Sequence, residues 1–286
     1  MPKRFWAELT TREIDALDRE RTVAVLPVAA TEQHGPHLPL GTDTMILDAL
    51  IAATIGRLPP APPAPPVLFL PTLAIGKSNE HQAFAGTLSL SAKTLLDVWM
   101  EIGASVAASG VRRLVLLNGH GGQSGFMQIV NHDLRARERL MVWSIDWFRI
   151  APPAGLFAVD ELRYGIHGGD VETSLMLAIA PARVDLAQAR RFDSTLRGIA
   201  GDHPPLADGV ARWGWQTQDL NPAGAVGDAA AATAEKGRAV LAHVAAKLAA
   251  QLATIAELPS SLQIDGKADG GNGGGIDGSV DDPAAT

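Results

Sequence analysis

The chain has 286 residues, of which 47% are hydrophobic, 19% charged and 5% aromatic, the make-up of a globular domain with a sizeable core. Its 24 Lys and Arg against 31 Asp and Glu give a net charge of −7, and no basic run offers a stripe for nucleic acid or an anionic membrane. The absence of cysteine excludes disulfides, thiolate metal sites and cysteine nucleophiles, which leaves His, Asp and Glu to hold any metal.

The N-terminal MPKRFWAELTTREID has no apolar secretion core, and no apolar stretch is read as reaching the ~20 residues that span a bilayer. A cytoplasmic protein with no membrane partner is expected. In chain order, the runs 22–29 (TVAVLPVA), 67–75, 112–119 and 140–147 are near-continuously apolar, as in strands buried on both faces. Helical patterns cover 43–55, 91–109, 125–138, 172–180 and 229–253. The proline-rich 58–67 reads as an extended surface connection. Residues 260–286 hold five Asp against one Lys, with seven Gly, and are predicted to be a disordered tail behind a single domain at 1–259. Strand followed by helix, repeated, predicts an α/β domain whose central sheet is covered on both faces.

In such sheets the reactive groups gather beyond the carboxyl ends of the strands. Three loops there are rich in ligand types. The first, ATEQHGPHLPLGTD, places Glu32 and His34 two apart, on one face of extended backbone, with Asp43 at the start of a helix. The second, NGHGGQSG, carries His120 between glycines; the third, GIHGGDVETS, carries His167 before a Gly-Gly turn and Glu172 in the first turn of an apolar helix. Two histidines and three carboxylates (Glu32, His34, Asp43, His120, Glu172) suit a nitrogen and oxygen site for divalent ions, with one carboxylate bridging. The alternative is structural: Asp43 as a helix N-cap, Glu172 as a dipole partner, the histidines as loop hydrogen-bonders. A phosphate- or nucleotide-binding protein cradling its anion in NGHGGQSG is the rival outside catalysis, although the P-loop lysine and the G-x-G-x-x-G spacing are missing. GQSGF is not a serine nucleophile elbow, because Phe126 stands where that turn demands Gly.

LPVAATEQHGPHLPLGTDT, GKSNEHQAFAGTLSL, LVLLNGHGGQS, IHGGDVETSLMLAIAP and GAVGDAAAATAEKG together resemble the creatininase, or creatinine amidohydrolase, family from about Val23 to Leu241. The resemblance implies a three-layer α/β/α sandwich with a mostly parallel sheet and two divalent ions (Zn, Mn or Fe). It also implies hydrolysis of amide C–N bonds by a hydroxide held between the ions, and a homohexamer. By position, Glu32 and His34 would ligate different ions, Asp43 would bridge them, and His120 would ligate beside Glu32. Creatinine-hydrolysing members resemble N-G-H-Y-E-N in the second loop, whereas this chain has Gly121 and Gly122 there, a single tyrosine at Tyr164, and Ile166 before His167. That pattern is similar to members acting on other amides, such as a formamide deformylase or the peptide-trimming enzyme of mycofactocin maturation. Glu172 is expected to replace the ligand lost at Gly122. His167 is the expected general acid, Ser78 an oxyanion donor, His81 and Glu80 pocket or subunit-contact residues, and Trp147 an aromatic cap. The substrate expected is a small amide or a short peptide.

Overall fold

The computed structural model describes residues 3–60, 66–203 and 213–264. The Gly/Asp-rich tail from 265 onward, with the disorder expected of it, and residues 61–65 of the expected proline-rich connection lie outside the described residues.

The four apolar runs form one parallel sheet: β1 (Val23–Val28), β2 (Val67–Phe69), β3 (Arg113–Asn118) and β4 (Met141–Asp146), in the order β2-β1-β3-β4. Parallel neighbours need crossover connections, and the helices that make them cover both faces. The helices are α1 (Thr11–Asp15), α2 (Thr42–Ile55), α3 (Ala92–Ala108), α4 (Ser124–Glu138), α5 (Val159–Tyr164), α6 (Asp170–Ile179), α7 (Thr195–Asp202), α8 (Thr217–Leu220) and α9 (Ala234–Glu257). Along β1 the side chains alternate. Val23 and Val25 join a core with Ile46 and Leu50 of α2, Leu175 of α6 and Val244 of α9, while Ala24 and Leu26 join Trp99 of α3 and Leu134 of α4. The result is the expected three-layer α/β/α sandwich.

The register sets Val28 level with Asn118, and Asn118 level with Asp146, so the loops after β1, β3 and β4 emerge together on one side. A two-stranded antiparallel pair, β5 (Arg191–Phe192) with β6 (Gly227–Asp228), closes that side and bridges Val226 to His167.

Several expectations are corrected. β2 stops at Phe69 instead of running to 75, because Pro71 has no N–H to give the ladder; pairing returns only as a single bridge between Val28 and Leu73. β4 is not buried on both faces: it is the sheet edge, and its Trp143 is 42% exposed. α9 begins at Ala234, where the Thr233 hydroxyl accepts the Lys236 N–H at 3.2 Å, and not at 229. By length and composition α9 could cross a membrane, contrary to the reading that no stretch is long enough. Here Val240, Val244, Leu248 and Leu252 bury one side of it in the core, as in a central helix of a sandwich. The folded domain also continues beyond 259, since Ser260 donates to Glu20 (2.7 Å) and Gln263 to the Leu140 carbonyl (2.9 Å).

Candidate metal centre

Each candidate ligand is held by the backbone around it. Glu32 and His34 leave β1 in a loop that is pinned by the Glu32 N–H to the Leu40 carbonyl at 2.9 Å. Asp43 lies in the first turn of α2, but Gly41 is the N-cap and no side chain caps that end, so Asp43 is not spent on capping. After β3, Asn118 grips His120 twice, accepting its N–H (2.9 Å) and donating to its carbonyl (2.8 Å), and also donates to Asp146 of β4 (2.7 Å). In the third loop Gly168 takes φ +61°, a conformation that suits glycine, and its N–H donates to Glu172 at 2.6 Å. Glu172 therefore does serve its helix N-terminus, with one oxygen.

These loops bring Glu32, His34, Asp43, His120, His167 and Glu172 together. Glu32 Oε1 is surrounded by His120 Nδ1 (3.2 Å), His81 Nε2 (3.5 Å), His167 Nδ1 (3.8 Å) and His34 Nε2 (3.9 Å). Asp43 faces His34 Nε2 with Oδ1 (3.1 Å) and His120 Nδ1 with Oδ2 (3.5 Å). Three overlapping groups of side chains could each hold an ion: Glu32, Asp43 and His120; His34, His167 and Glu172; and Glu32, His81 and His167.

The hydrogen bonds settle where the imidazole protons sit. His34 Nδ1 lies 3.0 Å from the Glu32 carbonyl and His120 Nε2 lies 3.0 Å from the Lys77 carbonyl; a carbonyl only accepts, so these nitrogens carry the hydrogens. The opposite nitrogens, bare lone pairs in the neutral rings, then point at the oxygens of Asp43 and Glu32. Acceptor facing acceptor in a buried site demands a cation between them, and the buried Asp43 Oδ2 has no hydrogen-bond partner of its own. Without a metal, protons take that place. Burial opposes charge on both rings, but Asp43 raises His34 to about 10 and Glu32 lifts His120 well above its ordinary value. Burial tends to raise the Glu32 carboxyl, yet His120, itself raised, holds it well below the usual range. Burial and the neighbouring Glu32 push Asp43 up, and burial pushes Glu172 up to about 7. The residues fit divalent ions.

Other expectations change on this geometry. Ser78, expected to be an oxyanion donor, has its donors turned elsewhere: its hydroxyl donates to Glu32 Oε2, its N–H donates to Ser89, and it is not in the cavity wall. His167 donates Nε2–H to the Gln33 carbonyl at 2.6 Å, so its cavity-side Nδ1 is ready to take a proton and holds none to give. His81 is reversed: the Gln33 amide, oriented by the Gly35 N–H and the Gly224 carbonyl, donates to its Nδ1 at 2.7 Å, which leaves Nε2–H facing the centre. Glu172 stands with His34 and His167. The space of a side chain at 122 is filled instead by the Glu80 carboxylate, which a Cβ on Gly122 would overlap, and Glu80 lies 3.2 Å from His120 Nε2. Trp147 lines the cavity, is 3% exposed, and has a buried indole N–H without a partner. Gln33, Asn118 and Asp146 were missed, since nothing in their spacing separates such supporting residues from ordinary loop polar groups.

The centre opens into a cavity of about 590 Å³ whose walls include Trp147, Phe148, Ile150, Leu162, Trp213 and Trp215.

Behind the third loop, the buried His37 donates Nε2–H to Thr173 (2.9 Å), whose hydroxyl donates to the Gly168 carbonyl (3.3 Å), while Nδ1 has no partner. Burial pushes His37 down to about 4 from 6.5. The unfolded chain therefore binds this proton more readily, and the stabilisation is complete above about pH 6.5 and lost as pH falls toward 4. His37→Gln keeps a donor for Thr173 and cannot titrate, so its melting temperature should fall less steeply over that window; His81 and His167, also lowered by burial, keep part of the slope. Identical slopes in both proteins would contradict the assignment.

A family model named Creatininase and described as creatinine amidohydrolase matches residues 7–252. The mycofactocin precursor peptide peptidase of Mycobacterium ulcerans (strain Agy99) is 36% identical over 244 residues, covering 83% of this chain and 87% of that protein. The creatinine amidohydrolase of Pseudomonas putida is 33% identical over 220 residues, covering 70% and 77%. A solved structure described as creatininase Mn superposes with a TM-score of 0.70 at 26% identity over 88% of this chain and 98% of that one.

Proposed function

Because the chain belongs to the creatininase family of amidohydrolases, hydrolases of C–N bonds, we propose that it cleaves a small amide or a short peptide at a centre of two divalent ions. The observation that carries this is the pair of histidine lone pairs aimed at buried carboxylate oxygens on either side of Asp43. Glu32, Asp43 and His120 would hold one ion, and His34, Asp43 and Glu172 the other. Manganese, zinc or iron suits this set of imidazole and carboxylate ligands, and manganese stands in the description of a structural neighbour. When bound, such ions polarise a carbonyl and make coordinated water acidic near neutral pH.

The chain's own residues do the rest. His167 Nδ1 accepts the proton released on attack and returns it to the leaving nitrogen, with Nε2 anchored on the Gln33 carbonyl so that the ring cannot turn. His81, kept neutral by burial, donates from Nε2–H toward charge that develops beside Glu32. Ser78 fixes the second oxygen of Glu32. The tryptophan-lined wall favours a substrate with an apolar side chain, and peptide trimming is favoured by the name of the mycobacterial relative. Assembly of copies into a homohexamer belongs to the same proposal, supported by the open β4 edge where Trp143 stands exposed.

A panel of N-formyl and N-acetyl amides, lactams and short peptides tests the proposal. At least one should be hydrolysed, chelation should abolish that activity, and a divalent ion should restore it. Activity that survives a chelator able to empty the protein of metal would contradict it.

A further inference from the structure

Lys77 is the only Lys or Arg in the cavity wall among the described residues, and no carboxylate there lies within salt-bridge distance of its ammonium. Its partners are the Asn79 side-chain oxygen and the face of Phe126, 5.4 Å from the ring centroid. Lys77 is half-buried, and an ammonium with only a neutral amide and a ring for company is incompletely compensated.

An ammonium can only donate, so Asn79 has to turn its oxygen toward Lys77, and its NH₂ then projects on the other side of the amide. Asn79 also lines the cavity. Nζ and the Asn79 NH₂ thus make a two-pronged donor. Between the prongs in sequence, Ser78 holds Glu32, and the Lys77 carbonyl accepts from His120. The fork belongs to the same turn that supports Glu32 and His120 and lines the same cavity as they do.

We propose that Lys77 and Asn79 bind a free carboxylate of the substrate, so that the enzyme selects amides of the acyl-amino-acid or carboxyl-terminal dipeptide kind. This rests on the amidohydrolase reading above. One ammonium and one amide suit a planar monoanion; a phosphate dianion would be under-compensated beside Glu32, Asp43, Glu80 and Glu172.

The test uses metal-loaded protein and the pair N-acetyl-phenylalanyl-leucine and N-acetyl-phenylalanyl-leucinamide, which differ only in the terminal charge. Calorimetric binding needs no turnover, so its result stands whether or not either peptide is cut, and failure of the hydrolase reading would show separately as absent hydrolysis. The acid should bind about tenfold more tightly than the amide, the scale of one charge-assisted hydrogen bond. Lys77→Met should bring the ratio toward one at unchanged metal content, and Lys77→Arg should keep it above one. Equal affinities in the unmodified protein would overturn the proposal. So would a preference that persists in Lys77→Met, because the ions themselves would then be binding the carboxylate.

Discussion

Asp43→Asn should lower the metal content of the purified protein at both positions and reduce amide hydrolysis about 10³-fold, the equivalent of several kcal/mol of barrier. The reason is its position. Its two oxygens face different histidines, Oδ1 toward His34 at 3.1 Å and Oδ2 toward His120 at 3.5 Å, so each oxygen can serve a different ion. Asparagine has the same shape and keeps α2 intact, since Asp43 caps nothing. It replaces one oxygen with an NH₂ that repels a cation and donates toward a ring nitrogen. Elemental analysis and kcat on the same preparation provide the check. A variant with full occupancy of both ions would remove Asp43 from the bridging role, and loss of one ion alone would make it a ligand of that ion only.

Gly122→Ala should weaken metal binding at the His120 side by about 10- to 100-fold, although residue 122 bears no ligand atom. A Cβ there overlaps the Glu80 carboxylate and crowds His120 Nε2. Glu80 has to leave, and His120 loses the carboxylate that supports its outer N–H beside the Lys77 carbonyl. Glu80→Ala should therefore cause a loss of similar size. In the double variant the two losses should sum to less than their separate values, because both substitutions remove the Glu80 contact and only the crowding of His120 by the Cβ is added. Additive losses in metal titrations would show that Gly122 and Glu80 act independently.

Much of this centre is legible in the chain because of one topological fact. Parallel strands end on the same side, so Glu32 after β1 and His120 after β3 converge although long stretches of sequence separate them, while His167 and Glu172, between α5 and the first turn of α6, are brought in by the bridge of His167 to Val226. For Asp43 the sequence permits both a cap and a ligand, and the structure removes the cap by placing Gly41 at the N-cap. Proton positions were not legible. They depend on which carbonyl each ring meets, and so His167 emerges with its open nitrogen inward and His81 with its hydrogen inward. Glu80 in the space beside Gly122 was equally hidden, since it requires the long loop that follows β2 once Pro71 ends the strand. An apolar run cannot tell an edge from a centre, so nothing in 140–147 marks β4 as the exposed edge of the sheet. The alanines at 229–232 likewise gave no sign that α9 waits for the Thr233 cap.

Anomalous diffraction from crystals of the protein loaded with manganese tests the central claim most directly. Two peaks should appear, one between Glu32 and His120 and one beside His34 and Glu172, with Asp43 reaching both. A single peak, or peaks away from these side chains, would contradict a binuclear centre built on Asp43.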